Sequence, residues 1–478
     1  MTSLKHKTVS GIKWTMAASI AQRILSFGTT VILARVLSPA DFGLFTLAFV
    51  MVDGFSIFKS LGFDSALVRR KVDDIGKACN TAFFLIPAMG LILFIILFFF
   101  APIGAKFLNN SQVTPIIRTL AFVFVVSTLG KVPQAILYRD MQFKYGFISE
   151  ISSQIIYVSI ALILALSKFG VWSLVVAYVL RNIVKVGIDW YFSGWKPRFE
   201  FDSKIAWDMF HFGKFILGSS VVLFLNTNLD NLVIGKVLGV TLLGYYAISK
   251  NLANFLNDYV LSRMSSVMFP AYSKIQEDTE NIKHVMFKML KYISVVIFPF
   301  SFGLFLFAPE VLRLIFGEKW LPATDVLRVL SLAGLTTSLN TAISPIFLAR
   351  GQSKIDFQVG LAQAVIFFLL IVPLSIKFKL VGVGYATLAS SVISLGVGIF
   401  RIRGILNLRV IDLIKPLRSA FLCSMMILSG FVLLKVFSLT ENANFEFMIF
   451  GTISALVYSG SIYCIDRNIL KEIKKVFL

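Results

Sequence analysis

The sequence predicts an all-α integral membrane protein of about 14 transmembrane helices, built as two parallel six-helix repeats followed by a C-terminal helix pair. Three observations lead there: a composition too apolar for a soluble chain, apolar segments of spanning length along the whole chain, and a pattern that recurs in order in both halves. Of the 478 residues, 57% are hydrophobic and 15% charged, with 48 Phe and a mean hydropathy of +0.83. A soluble chain is roughly 45–50% apolar and about 25% charged, because much of every compact protein faces water. Lipid removes that requirement.

A membrane helix needs roughly 20 apolar residues, each rising ~1.5 Å across a ~30 Å core. Segments of that length fall near 14–36, 42–62, 80–104, 115–138, 147–167, 170–193, 211–237, 242–269, 286–307, 324–349, 356–377, 381–402, 416–437 and 444–465, with ends good to ~2–4 residues. All are expected to be helices, since an open strand in lipid leaves backbone groups unpaired. Lys5, Lys7 and Lys13 ahead of the first segment resemble a signal peptide. That segment, however, continues to about Leu37 and contains Arg23, too long for an h-region of ~7–15 residues. It is read as a retained first helix.

The connectors give the orientation. With both termini cytoplasmic, the inner loops carry roughly 25 Lys and Arg, among them Arg69, Arg70, Lys71, Lys196, Arg198, Arg401, Arg403, Lys474 and Lys475, and the outer loops roughly nine, such as Lys106, Lys168 and Lys377. The positive-inside rule thus accounts for most of the formal charge of +21 without nucleic acid. Every connector is short, so no soluble catalytic domain is inserted. Cys79, Cys423 and Cys464 show no CxxC spacing and His6, His211 and His284 are isolated, so neither a disulfide frame nor a metal site is expected. No Gly-x-x-x-x-Gly-Lys loop occurs, which excludes direct ATP drive by this chain.

The recurrence is collinear. Arg35-Val36-Leu37 with Gly43 corresponds to Lys236-Val237-Leu238 with Gly244, Ala101-Pro102 to Ala308-Pro309, and Arg118-Thr119-Leu120 to Arg328-Val329-Leu330. Gln142-Phe143-Lys144 with Phe147 recurs as Gln352-Ser353-Lys354 with Phe357, and Gly170-Val171 as Gly382-Val383. The offset grows only from about 201 to about 212 residues. Six helices per copy is an even number, so both copies enter from the same face and form parallel repeats. The expected divisions are residues 1–205, 206–409 and, for the added pair and basic tail, 410–478.

Ionisable groups inside a span cost at least ~2.5–3.5 kcal/mol at mid-depth, so they face a cavity or a partner. Arg23 and Asp53 lie at similar depth in the first two segments and are candidates for an ion pair. In the eighth segment Lys250, Asn251, Asn254, Asn257 and Asp258 recur at helical spacing on one stripe. The seventh answers with Asn226 and Asp230, and Asp230 can reach Lys250. Two readings stand for these residues: they line a cavity, or they glue helices together. Lys13, Lys59 and Lys185 are expected to snorkel. Arg118 and Arg328 are read as interfacial anchors, and Trp14, Trp190, Trp195 and Trp320 as belt residues. Without ATP, an ion gradient is the remaining common energy source, and Asp53, Asp230 and Asp258 are the carboxylates suited to H+ or Na+ coupling. No other cofactor is expected.

Leu37-Ser38-Pro39-Ala40-Asp41-Phe42-Gly43-Leu44-Phe45 and Phe316-Gly317-Glu318-Lys319-Trp320-Leu321-Pro322-Ala323 resemble the signatures of bacterial polysaccharide-biosynthesis transporters. These are the oligosaccharide flippases of the multidrug, oligosaccharidyl-lipid and polysaccharide exporter superfamily. The resemblance covers nearly the whole chain. It implies an inner-membrane protein that moves an undecaprenyl-diphosphate-linked oligosaccharide from the cytoplasmic to the outer leaflet by alternating access, alongside other polysaccharide-assembly proteins. Two alternatives remain: an ion-coupled exporter of cationic drugs, which favours a net acidic cavity, and a membrane-embedded glycan polymerase or ligase, which usually presents a long external loop.

Overall fold

A computed structural model describes residues 21–59, 63, 67, 75–436, 458 and 460. The described chain is helical throughout: α1 (residues 21–36), α2 (Pro39–Ser56), α3 (Ile75–Phe107), α4 (Val113–Leu129), α5 (Lys131–Arg139), α6 (Phe143–Leu166), α7 (Trp172–Ser193), α8 (Ser203–Val237) and α9 (Val240–Ala253). A π-turn (Asn257–Leu261) then leads to α10 (Ser262–Lys274), α11 (Thr279–Leu306), α12 (Ala308–Ile315), a 3-10 turn (Glu318–Ala323), α13 (Thr324–Ala349), α14 (Ser353–Leu406) and α15 (Val410–Val436). Among the described residues six helices are long and apolar enough to cross a membrane, and the pair α4 and α5, bent by 44°, makes a seventh span when taken together. The expected span near 444–465 lies outside the described residues. On α3 the large apolar side chains Ile95, Phe99, Phe100 and Ile103 stand on the molecular surface, as Phe368 and Phe400 do on α14, an exposure that suits lipid.

Local chemistry sets the helix ends. Ser38 caps α2: its Oγ accepts from the Asp41 backbone N–H at 3.2 Å, while Asp41 Oδ2 accepts from the Ser38 N–H at 2.9 Å, with Pro39 in the first turn. This reciprocal box satisfies two donors a helix start leaves open. Asp202 and Asp278 cap α8 and α11 in the same sense. In the first turn of α15 the Arg409 backbone N–H donates to Asp412 at 3.1 Å. That bond, with Lys415 and Arg409 nearby, holds the Asp412 carboxyl below its usual range.

The helix α14 is broken at Lys379, whose φ of 51° lies in the left-handed region. Its two arms run antiparallel, as the bonds from Arg401 Nη2 to Gln358 Oε1 (3.0 Å) and from Ser394 Oγ to the Val359 carbonyl (3.5 Å) require. These arms match the separate segments expected near 356–377 and 381–402. Gly382 makes the reversal fit, since a Cβ there would stand 1.9 Å from the Leu374 carbonyl oxygen.

Two compact units meet in sequence between Gly244 and Tyr245. In the first, α8 packs on α2 and α3, and it groups with the N-terminal helices. Its apolar clusters join Leu33, Leu37, Ala161, Ala165 and Leu174 on one side, and Cys79, Ile86, Val132, Ile205 and Met209 on the other. Inside this unit α2 and the start of α9 approach at backbone contact. A Cβ on Gly43 would lie 1.7 Å from the Val240 carbonyl oxygen, and one on Gly244 would lie 1.9 Å from that of Pro39. The second unit is built on α11, α13 and α14, around Leu290, Ile293, Ile297, Ile343, Phe347 and Ile402. Tyr458 donates its hydroxyl to the Val295 carbonyl of α11 at 2.8 Å.

Three sequence expectations are corrected. Trp320 is no belt residue: it is fully buried between Tyr245 and Phe316. Lys185 does not snorkel but reaches Glu150 at 2.6 Å. Arg118 and Arg328 do more than anchor. Arg118 Nε donates to the Phe98 carbonyl (3.1 Å) and Arg328 Nε to that of Phe305 (3.3 Å). Pro102 and Pro309, four residues on in each case, have no N–H to offer those carbonyls. Each arginine supplies the missing donor.

Candidate functional site

The predicted polar residues divide between the units. In the first, Arg23 is half-buried on α1, and Asp53, half-buried on α2, accepts from Ser56 Oγ at 3.1 Å. Next to Asp53, Gly54 lets α8 come close: a Cβ there would stand 3.0 Å from the Phe224 ring. Asn226 is exposed on α8, whereas Asp230 is 5% exposed and its Oδ1 accepts from the Asn231 backbone N–H at 2.8 Å.

In the second unit, Lys250 Nζ lies 5.8 Å from the centroid of the Tyr246 ring, a cation–π distance. The π-turn begins only at Asn257, and the backbone of the expected stripe keeps α spacing, with the Asn254 N–H donating to the Lys250 carbonyl (3.0 Å) and the Asp258 N–H to the Asn254 carbonyl (2.9 Å). Asn251 and Asp258 come out exposed, and Lys250 and Asn254 half-buried. Asn257 turns inward to α13, donating to the Gly334 carbonyl (3.2 Å) and accepting from Ser338 Oγ (3.0 Å). That is the gluing arrangement for this one residue. On the separate contact between α13 and α14, Thr336 and Ser391 share a hydrogen bond of 2.6 Å.

The most strongly connected ionisable group was not singled out from the sequence. Glu150 on α6 accepts from three donors: Gln22 Nε2 (2.7 Å) and Arg181 Nη2 (2.7 Å) on Oε1, and Lys185 Nζ (2.6 Å) on Oε2. Its carboxylate and the two cations are each about four-fifths covered, with side-chain exposures of 22–23%. Charge-assisted bonds of this length are roughly twice as strong as neutral ones. A legible signal existed: Arg181, Lys185 and Asp189 recur at steps of four, which puts them on one face of α7. Beside the cluster a cavity of about 210 Å³ opens among α1, α5, α6 and α7, lined by Gln22, Gln134, Gln142, Lys185 and Asp189, with Asp189 only 3% exposed.

Helices of spanning length, with ionisable groups tied together between them, define a multi-pass membrane protein. The family described as polysaccharide biosynthesis protein matches residues 32–325, more than half of the chain, and the chain belongs to that family of transporters. It is 27% identical to the lipopolysaccharide biosynthesis protein WzxC of Escherichia coli over 76% of this chain and 74% of that one. With the succinoglycan biosynthesis transport protein ExoT of Rhizobium meliloti it shares 28% identity over 76% and 74%. In fold it resembles the lipid II flippase MurJ in its inward closed conformation (TM-score 0.78, 18% identity, 96% of this chain and 100% of that one). A multidrug resistance MATE family transporter in an inward-facing conformation matches less well (TM-score 0.58, 15% identity, 82% and 99%).

Proposed function

We propose that this protein carries an undecaprenyl-diphosphate-linked oligosaccharide from the cytoplasmic to the outer leaflet of a bacterial inner membrane, for surface polysaccharide synthesis. The observation that carries this reading is family membership, with relatives named for lipopolysaccharide biosynthesis and succinoglycan transport aligning over three-quarters of the chain. The physical need is clear. Each glycan hydroxyl left unbonded in hydrocarbon costs several kcal/mol, so an unaided flip is very slow. Asn226, Asn251 and Asn254 can both donate and accept toward sugar hydroxyls, and Arg23 or Lys250 can hold a diphosphate by charge-assisted bonds.

In this reading the chain is two parallel six-helix repeats plus a C-terminal pair, with both termini cytoplasmic, and it works by alternating access. Asp53, Asp230 and Asp258 couple transport to a proton or sodium gradient. Export of cationic drugs is the weaker alternative, since Arg23 and Lys250 offset the nearby carboxylates. The test is reconstitution in vesicles with candidate lipid-linked oligosaccharides. Outer-leaflet glycan should appear only when the protein is present, and appearance at the rate of protein-free vesicles would end the proposal.

A further inference from the structure

The cavity beside Glu150 has a lining that the ion cluster does not explain. Two of its amides, Gln134 on α5 and Gln142 before α6, hydrogen-bond no other described residue through their side chains. The Asp189 carboxylate is almost wholly buried and borders the same space, near Lys185 and Ser149. Tyr138 and Phe147 add aromatic walls. At about 210 Å³ the space is smaller than the roughly 300–1,000 Å³ that drug-sized ligands occupy.

The charge balance narrows the occupant. Glu150 and Asp189 offset Arg181 and Lys185, and both cations are already bound to Glu150. Among the described lining residues a free anion finds no uncommitted cation, and a free cation meets Lys185 beside the carboxylate. What the lining offers in surplus is hydrogen bonding of both senses from the amides, acceptors from Asp189, and apolar ring faces. One small, uncharged, hydroxyl-rich ring matches that set.

We infer that this cavity is a subsite for a single neutral sugar ring of the cargo glycan. The inference rests on the proposed lipid-linked oligosaccharide cargo. The cavity lies among α5, the start of α6 and the last turns of α7, at the end of this unit that the basic loops assign to the cytoplasm. It is therefore placed to take a sugar before the lipid carrier crosses.

Gly146 gives a clean handle, because a Cβ added there meets nothing within 4 Å while the residue borders the cavity. The first arm uses the full chain carrying Gly146→Cys with Cys79, Cys423 and Cys464 replaced by Ser, and follows maleimide labelling. Methyl glucoside, methyl galactoside and methyl N-acetylglucosaminide are compared with inorganic phosphate and tetramethylammonium. At least one glycoside should slow labelling about fivefold, and Asp189→Asn should weaken its apparent affinity roughly tenfold by removing a charged acceptor. Protection by phosphate or tetramethylammonium with none from a glycoside, or no protection at all, overturns the inference. The second arm fills the cavity with Gly146→Leu and measures flipping, with Gly146→Ala as the control for backbone effects. Flipping should fall about tenfold with thermal unfolding unchanged; a wild-type rate overturns the assignment of the cavity to the cargo path. Glycoside protection in a protein that moves no lipid-linked glycan would instead remove the flippase reading and leave the sugar site standing.

Discussion

At single residues, the arginine and proline pairs show how a helix in lipid tolerates a missing donor. A carbonyl stranded in hydrocarbon has no water to turn to, so Arg118 and Arg328 each serve a fixed backbone acceptor. Arg118→Met should destabilise the protein by about 0.5–1.5 kcal/mol, the net worth of one hydrogen bond at an exposed position. In a Pro102→Ala background, where an N–H returns at position 102, the same change should cost less, as a double-mutant cycle on thermal unfolding in detergent would read. Glu150 makes the opposite case. Glu150→Gln leaves Arg181 and Lys185 facing each other without their shared carboxylate, and breaking such a part-buried network should cost about 3–5 kcal/mol. Because all three groups keep some exposure, the lower end is expected. A melting temperature equal to wild type would show the cluster to be solvated and structurally idle.

At the level of elements, most helices were legible because spanning length and hydropathy are properties of one segment alone. The Ser38 and Asp41 capping box was also written locally, and Ser38→Ala should lower stability by about 0.5–2 kcal/mol, measurable as an earlier thermal transition. What the chain did not disclose were relations between segments. Glu150 could not announce that its partners sit on α1 and α7, since one carboxylate in a span has no periodicity to read. Trp320 looked interfacial because tryptophans at span ends usually are, and only the tertiary contact with Tyr245 and Phe316 buries it. The polar residues beyond Lys250 share a helix face by spacing, which is local, but what each meets is a tertiary matter: Asn257 bonds to Gly334 and Ser338 on α13.

For the whole molecule, the ion-coupling proposal predicts that an imposed pH or sodium gradient accelerates flipping in vesicles, and that Asp53→Asn, Asp230→Asn or Asp258→Asn abolishes the acceleration. Rates indifferent to both gradients would remove the coupling. The collinear motifs supply the other molecular-scale argument, and the glycine crossing bears on it. Pro39 corresponds to Val240 and Gly43 to Gly244 at the same offset in sequence, and the close approaches are reciprocal: Gly43 against the Val240 carbonyl, Gly244 against that of Pro39. Contacts of that form, in which i meets j′ while j meets i′, are what a two-fold axis makes between identical chains. On the proposed two-repeat reading, an ancestral half met its own copy in a self-paired homodimer through a single glycine. Fusion, on that reading, turned one glycine into two, each held against the backbone that flanks the other.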